Sequence, residues 1–134
     1  MKNTIQTFSL FTVTFALFLF SCKNNPDNNN CSSNPLAPVT KVDGSKIGTA
    51  SQPMPFIVYF PGNSGCAQSG VLTESVSGNT RTISVNVKYV GCVCTAIASV
   101  MQINYTFTPV AAGTYYLKFT QDNNTFLIDT LAVN

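Results

Sequence analysis

Cysteine is the residue type in this 134-residue chain whose number and spacing could do chemistry. Cys66 follows a glycine-bearing turn, Cys92 and Cys94 form a Cys-x-Cys pair, Cys31 lies upstream, and Cys22 closes an apolar run. Three chemistries use such a set. Thiolates of Cys66, Cys92 and Cys94, with the thioether of Met54 or Met101, make a soft ligand set suited to Cu(I). Thiol exchange favours Cys-x-x-Cys at a helix start, and the spacing here is different. Structural disulfides require an oxidising compartment and Cβ vectors that meet. The compartment decides among the three, so the N-terminus comes next.

Met1-Lys2-Asn3 is a short basic start, followed by an apolar run from Phe8 to Phe20 interrupted by Ser9, Thr12 and Thr14. A charged opening, an apolar stretch and a small residue before a cleavage point make a secretory signal. The run is too short for a spanning helix, which takes roughly 20 apolar residues. Leu19-Phe20-Ser21-Cys22 resembles the lipobox of bacterial lipoproteins in Leu19, Ser21 and Cys22, whereas Phe20 departs from the small residue usual there. The resemblance implies that residues 1–21 are removed, that the Cys22 thiol takes diacylglycerol and that the new amine is acylated. Two or three acyl chains give stable anchoring. Residues 22–34 then read as the lipidated cysteine and a linker. Lys23-Asn24-Asn25-Pro26-Asp27-Asn28-Asn29-Asn30 has no apolar side chain to bury and predicts a disordered tether. Asn-rich starts of this kind resemble lipoproteins of Bacteroidota. The implied location is the outer membrane, with the face left open, since Asp27 is the single acidic residue in the stretch.

An exported chain with Cys22 modified leaves Cys31, Cys66, Cys92 and Cys94 for disulfides. Four cysteines allow three pairings. Cys92 and Cys94, at i and i+2 of an extended segment, point to one face and cannot easily bridge each other. Cys66 therefore joins one of them and Cys31 the other; the favoured pairing is Cys66–Cys94 with Cys31–Cys92. Closing a loop of about 28 residues is worth roughly 3–4 kcal/mol of unfolded-state entropy.

Other chemistry is thin. Histidine is absent from the whole chain, which excludes a Ser-His-Asp or Cys-His nucleophile pair and every His-based zinc site. Tryptophan is absent too, removing the best sugar-stacking platform. Glu74 and Asp129 are the carboxylates one would pair for glycoside hydrolysis, which needs them about 5–10 Å apart; they fall on different strands and read as a solvated acid and a bulge residue. Ser64 has no base partner and reads as a turn. Tyr59, Tyr89, Tyr105 and Tyr115 read as core and corner residues, with Tyr116 exposed. After Cys22 the charges are Lys23, Lys41, Lys46, Arg81, Lys88 and Lys118 against Asp27, Asp43, Glu74, Asp122 and Asp129. Near-neutral and unclustered charge offers no electrostatic footprint for nucleic acid. Asp129-Thr130-Leu131 resembles the short O-glycosylation motif of Bacteroidota and implies Thr130 as a sugar acceptor, a role that burial in a strand would block.

From Pro35 onward the hydrophobic period is two, the signature of strands. Strands are expected at 38–42, 55–60, 71–76, 82–89, 102–108, 114–120 and 126–133, with 96–101 open between strand and loop. Turns fall at Asp43-Gly44-Ser45, Pro61 to Gly65, Ser77-Gly78-Asn79 and Asp122-Asn123-Asn124. In the last strand Leu127, Leu131 and Val133 share a face with Asp129, and a β-bulge near Asp129 would relieve the conflict.

Seven or eight short strands without an amphipathic helix predict an all-β, antiparallel sandwich over residues 35–134. Phe107-Thr108-Pro109 leading into Gly113-Thr114-Tyr115-Tyr116-Leu117 resembles the E–F corner of bacterial immunoglobulin-like domains, which implies a tyrosine-corner role for Tyr115. The domain is similar to the single Ig-like domain of small Bacteroidota lipoproteins. The expected function is a non-catalytic binding or structural module of the cell envelope, held to the membrane by its lipid and open to an envelope protein or glycan partner. An accessory or inhibitor subunit docked on an envelope protease or transporter is the alternative, and a Cys-based copper-binding protein the third. Neither an enzyme nor a cofactor or metal is expected.

Overall fold

The period-two pattern becomes ten strands in the computed structural model, which describes residues 31–134. The expected signal peptide (1–21), Cys22 and linker residues 23–30 lie outside the described residues. The strands are β1 (Ser32–Ser33), β2 (Leu36–Ala37), β3 (Lys41–Gly44), β4 (Ile47–Gly48), β5 (Met54–Gly62), β6 (Ala67–Ser77), β7 (Thr80–Val90), β8 (Ser99–Phe107), β9 (Gly113–Thr120) and β10 (Phe126–Val133).

Seven strands form one sheet and three, in the order β3-β5-β8, form the other. In the large sheet β7 is the hub. Its whole length pairs with β6. Its opposite edge is shared, with β1 and β2 on the C-terminal half and β9 on the N-terminal half. β10 follows β9, and β4 closes that edge. Two of these pairings, β7 with β9 and β10 with β4, are parallel. The all-antiparallel expectation is corrected on this point. Parallel neighbours cannot be joined by a tight hairpin, and here β8, in the other sheet, lies in the connection between β7 and β9.

Alternation sorts the residues. Phe56, Val58 and Phe60 of β5, Ile83, Val85 and Val87 of β7, and Leu117 and Phe119 of β9 are fully buried between the sheets. Tyr105 packs at 6.3 Å from Phe56 and edge-on at 6.1 Å against Phe119, tying the sheets together. Gly70 of β6 admits this packing, because a Cβ there would meet Phe60 Cζ at 2.7 Å.

Several boundaries move. The first long pairing begins at Lys41 rather than 38, so Asp43 and Gly44 are strand rather than turn. Residues 96–101 divide, with pairing from Ser99 onward. Cys31 and β1 belong to the sandwich, so the domain extends upstream of the expected boundary at 35. No bulge occurs at Asp129: β10 pairs with β9 in unbroken register from Phe126 to Val133, and the irregularity lies in β6 between Ala67 and Ser69. Asp129 stays on the buried face, 7% exposed, because Lys46 reaches its Oδ1 at 3.0 Å from outside the sheet. Lys46 is held there by its carbonyl, which accepts from Ala132 N at 2.8 Å. An ion pair at the sheet edge replaces the backbone irregularity the pattern suggested.

Tyr115 makes the kind of contact that the Ig-like resemblance implied. Its hydroxyl donates to Ala111 O at 2.9 Å and accepts from Ala111 N at 3.2 Å, closing the β8–β9 connection. Tyr115→Phe is expected to cost about 1–2 kcal/mol, read as a lower urea midpoint at unchanged slope.

The β9–β10 hairpin is built on Asp122, whose Oδ1 accepts from Asn124 N and Thr125 N, both at 2.8 Å. These backbone donors hold its carboxyl below the ordinary value of 3.8. A lowered carboxylate contributes stability above its unfolded value and loses it as pH falls through the folded one. The hairpin is therefore expected to loosen below about pH 4; a lower protection factor of the Thr125 amide in acid, a pH effect abolished by Asp122→Ala, is the check.

Candidate functional site

All four described cysteines meet at one end of the sandwich. Cys66 immediately precedes β6, Cys92 and Cys94 follow β7, and Cys31 precedes β1. Cys31 bridges Cys92 with Cα atoms 4.9 Å apart, and Cys66 bridges Cys94 at 5.4 Å. This is the favoured pairing. Backbone hydrogen bonds continue the staple: Gly91 N donates to Cys31 O (2.8 Å), Val90 N to Cys66 O (3.1 Å) and Gly65 N to Thr95 O (2.9 Å). Tyr89 adds a tie, its hydroxyl accepting from Asn63 N at 3.0 Å. Gly91 has φ 141°, and a Cβ there would meet Cys66 Sγ at 2.7 Å. Glycine is needed twice over at that position, for its backbone angle and for the sulfur beside it.

The staple holds the β7–β8 loop, residues 91–98, outward. Cys92 and Cys94 both turn to the protein to bridge, so Val93 between them points away and is 95% exposed. Ile97 (59%) and Val100 (79%) are exposed beside it, and Val90 partly so. Ordered backbone and unburied aliphatic side chains meet here. Close by, on the outer face of the large sheet, Asn34, Val71, Thr73, Asn86 and Lys88 line a shallow groove of about 340 Å³. Its wall is fixed by Asn86 Nδ2, which donates to Asn34 O at 3.1 Å.

The other sequence candidates scatter. Met54 is buried at the far end of β5 from the staple, so it cannot join Cys66 or Cys94 around an ion. Bridged sulfurs, moreover, offer no thiolate to Cu(I). Among the described residues no group of three or more His, Cys, Asp or Glu is placed to hold a metal. Glu74 on β6 and Asp129 on β10 have β7 and β9 between them, three strand spacings or roughly 14 Å, outside the range for glycoside hydrolysis. Ser64 is a turn residue, its Oγ accepting from Cys66 N at 3.4 Å and its carbonyl from Ala67 N at 3.1 Å. Thr130 lies in β10 opposite Tyr116, exposed on the outer face, so burial does not block it. Tyr116 is exposed as expected, and Tyr59 and Tyr89 are half-buried.

One constellation escaped the sequence. Tyr105, Glu74 and Arg81 gather where β6 overhangs the small sheet. Arg81 Nε is 3.7 Å from Glu74 Oε1, and its guanidinium carbon lies 5.7 Å from the centre of the Phe107 ring. The Tyr105 hydroxyl is buried beside the Glu74 carboxylate without a well-formed hydrogen bond; burial, with the Glu74 charge, pushes its ionisation well above the ordinary tyrosine value. The β6–β7 pairing sets Glu74 diagonally to Arg81, and Tyr105 comes from β8 of the other sheet, a meeting that no local spacing announces. A buried hydroxyl without a well-formed hydrogen bond is a cost, so Tyr105→Phe is expected to leave stability unchanged or raise it by about 1 kcal/mol, opposite in sign to Tyr115→Phe.

Two sheets closed over one aromatic core, with no helix among the described residues, define a β-sandwich domain. The chain belongs to the ORF11 beta-sandwich domain family, whose model matches residues 56–133, more than half its length. The match takes in Cys66, Cys92 and Cys94 and leaves Cys31 outside. No curated protein and no solved structure matches the chain.

Proposed function

We propose that this chain is a lipid-anchored, non-catalytic binding module of the cell envelope: an Ig-like sandwich of the Bacteroidota lipoprotein type, held to the outer membrane through Cys22. The pair of disulfides at one end carries the reading. Such bonds persist in oxidising compartments outside the cytoplasm, and they hold the loops of that end as a fixed display on a rigid frame. Support for a non-catalytic role comes from the lack of histidine and the wide separation of Glu74 and Asp129. Thr130, exposed on the outer face, is proposed as an O-glycan acceptor on the strength of the Asp129-Thr130-Leu131 motif.

The anchor is tested by expressing the full chain in a Gram-negative host with labelled palmitate. Label and membrane fractionation are expected for the wild type and lost in Cys22→Ala; an unlabelled, soluble wild type sinks the anchor. Crosslinking the anchored chain in native envelopes then reads the partner. Glycan retention supports the binding module, whereas one stoichiometric protein partner moves the assignment to an accessory or inhibitor subunit. Hydrolytic activity of the purified chain would overturn both.

A further inference from the structure

We infer that the disulfide-stapled end of the sandwich is a lipid-contacting tip, with Val93 and Ile97 of the β7–β8 loop resting in the bilayer surface that holds Cys22. The inference rests on the anchor reading above and adds an orientation and an occupant to it. Its geometry comes from where the domain is attached. Cys31 is bridged to Cys92, next in sequence to Val93, so the tip and the attachment point are one place. Eight residues lie between Cys22 and Cys31, and the nine Cα–Cα steps from one to the other extend at most about 30 Å. β7 alone, with 11 residues, is about 36 Å long. The linker thus joins the domain at the stapled end and keeps it within about 30 Å of Cys22, whereas the opposite end, at Gly78 and Val110, lies a strand length from that attachment point.

The chemistry of the tip fits that occupant. Val93 and Ile97 on the loop, Val90 at the end of β7 and Val100 at the start of β8 are exposed aliphatics around one end of the sandwich. Aliphatic side chains without partners lose little and gain apolar contact at the boundary of headgroups and acyl chains. The segments that build the tip, residues 31–35, 61–70 and 88–101, contain Lys88 and no acidic residue, so phosphate headgroups meet no repulsion. A tip held by two disulfides enters the surface already ordered, with little further entropy to lose.

The chain lacks tryptophan, so Val93→Trp places a single indole at the tip, and Val110→Trp places one at a site that is also solvent-facing (79% exposed) on the opposite end. Each full-length lipidated variant is reconstituted into vesicles of phosphatidylethanolamine and phosphatidylglycerol with brominated acyl chains, after palmitate label and flotation establish the anchor. The expected result is blue-shifted, quenched emission for Val93→Trp and unshifted, unquenched emission for Val110→Trp. Equal emission of the two in floated vesicles overturns the tip while leaving the anchor intact. A shift that requires added envelope protein overturns it in favour of a protein partner. Absence of label and flotation removes the anchor and the tip with it. Far-UV circular dichroism identical to wild type confirms that each variant is folded.

Discussion

The double replacement Cys66→Ala/Cys94→Ala is expected to lower the free energy of unfolding by about 3–4 kcal/mol. The bridge closes a loop with a sequence separation of 28, and the loss is mainly the entropy that the cross-link removes from the unfolded chain. For a domain of this size, each kcal/mol moves the midpoint by about 4–8 °C, so calorimetry should show a fall of about 15 °C or more. Small domains hold roughly 5–15 kcal/mol in all, and the variant would lose a large share of it. The Cys31–Cys92 bridge closes a longer loop, with a separation of 61, and the same reasoning gives about 4 kcal/mol. The two loops overlap, so removing both should cost less than the sum. A folded Cys66→Ala/Cys94→Ala variant within about 1 kcal/mol of wild type would show that the hydrogen bonds around Gly65, Val90 and Gly91, rather than the sulfurs, hold this end together.

The residues most legible in the sequence were those where local pattern and tertiary need agree. Ile83, Val85 and Val87 alternate with Thr82, Ser84, Asn86 and Lys88, and the structure buries the first set and leaves the second on the outer side. The stereochemistry of i, i+2 positions excluded a Cys92–Cys94 bridge and left two pairings open, of which the favoured one is found, and the resemblance to an Ig-like corner pointed to Tyr115. Topology was less accessible. Nothing within β7 or β9 announces that they lie side by side and parallel, because that pairing depends on where β8 crosses to the other sheet. The same blindness hid the gathering of Glu74, Arg81 and Tyr105. Asp129 was a conflict the sequence exposed and resolved wrongly. Two remedies exist for an acid on a buried face, bending the strand or supplying a cation, and Lys46 sits 83 residues earlier, beyond the reach of any local argument. Val93 could have been foreseen, since two bridging neighbours leave its side chain no direction but outward.

Phe119→Ala is the core substitution with the largest expected effect, about 3–5 kcal/mol. Phe119 is fully buried, sits opposite Ile83 in the parallel β7–β9 register and meets the Tyr105 ring edge-on at an interplanar angle of 88°. β7 and β9 share only the stretch Thr80 to Ile83 and have no hairpin to hold them, so side-chain packing carries more of their association than in the β9–β10 hairpin. Phe119→Leu keeps most of the volume and is expected to cost about 1.5 kcal/mol or less. The pair of variants thus separates the cavity from the loss of aromatic contact, read from urea midpoints at unchanged slope. A loss below about 1.5 kcal/mol for Phe119→Ala would mean that the sheets close over the gap, which the stapled end should resist. The same substitution without the Cys66–Cys94 bridge should then cost less than in the wild type. Relief of that kind is a coupling energy between core and staple, and its sign tells whether the disulfides hold the two sheets apart or merely hold the loops down.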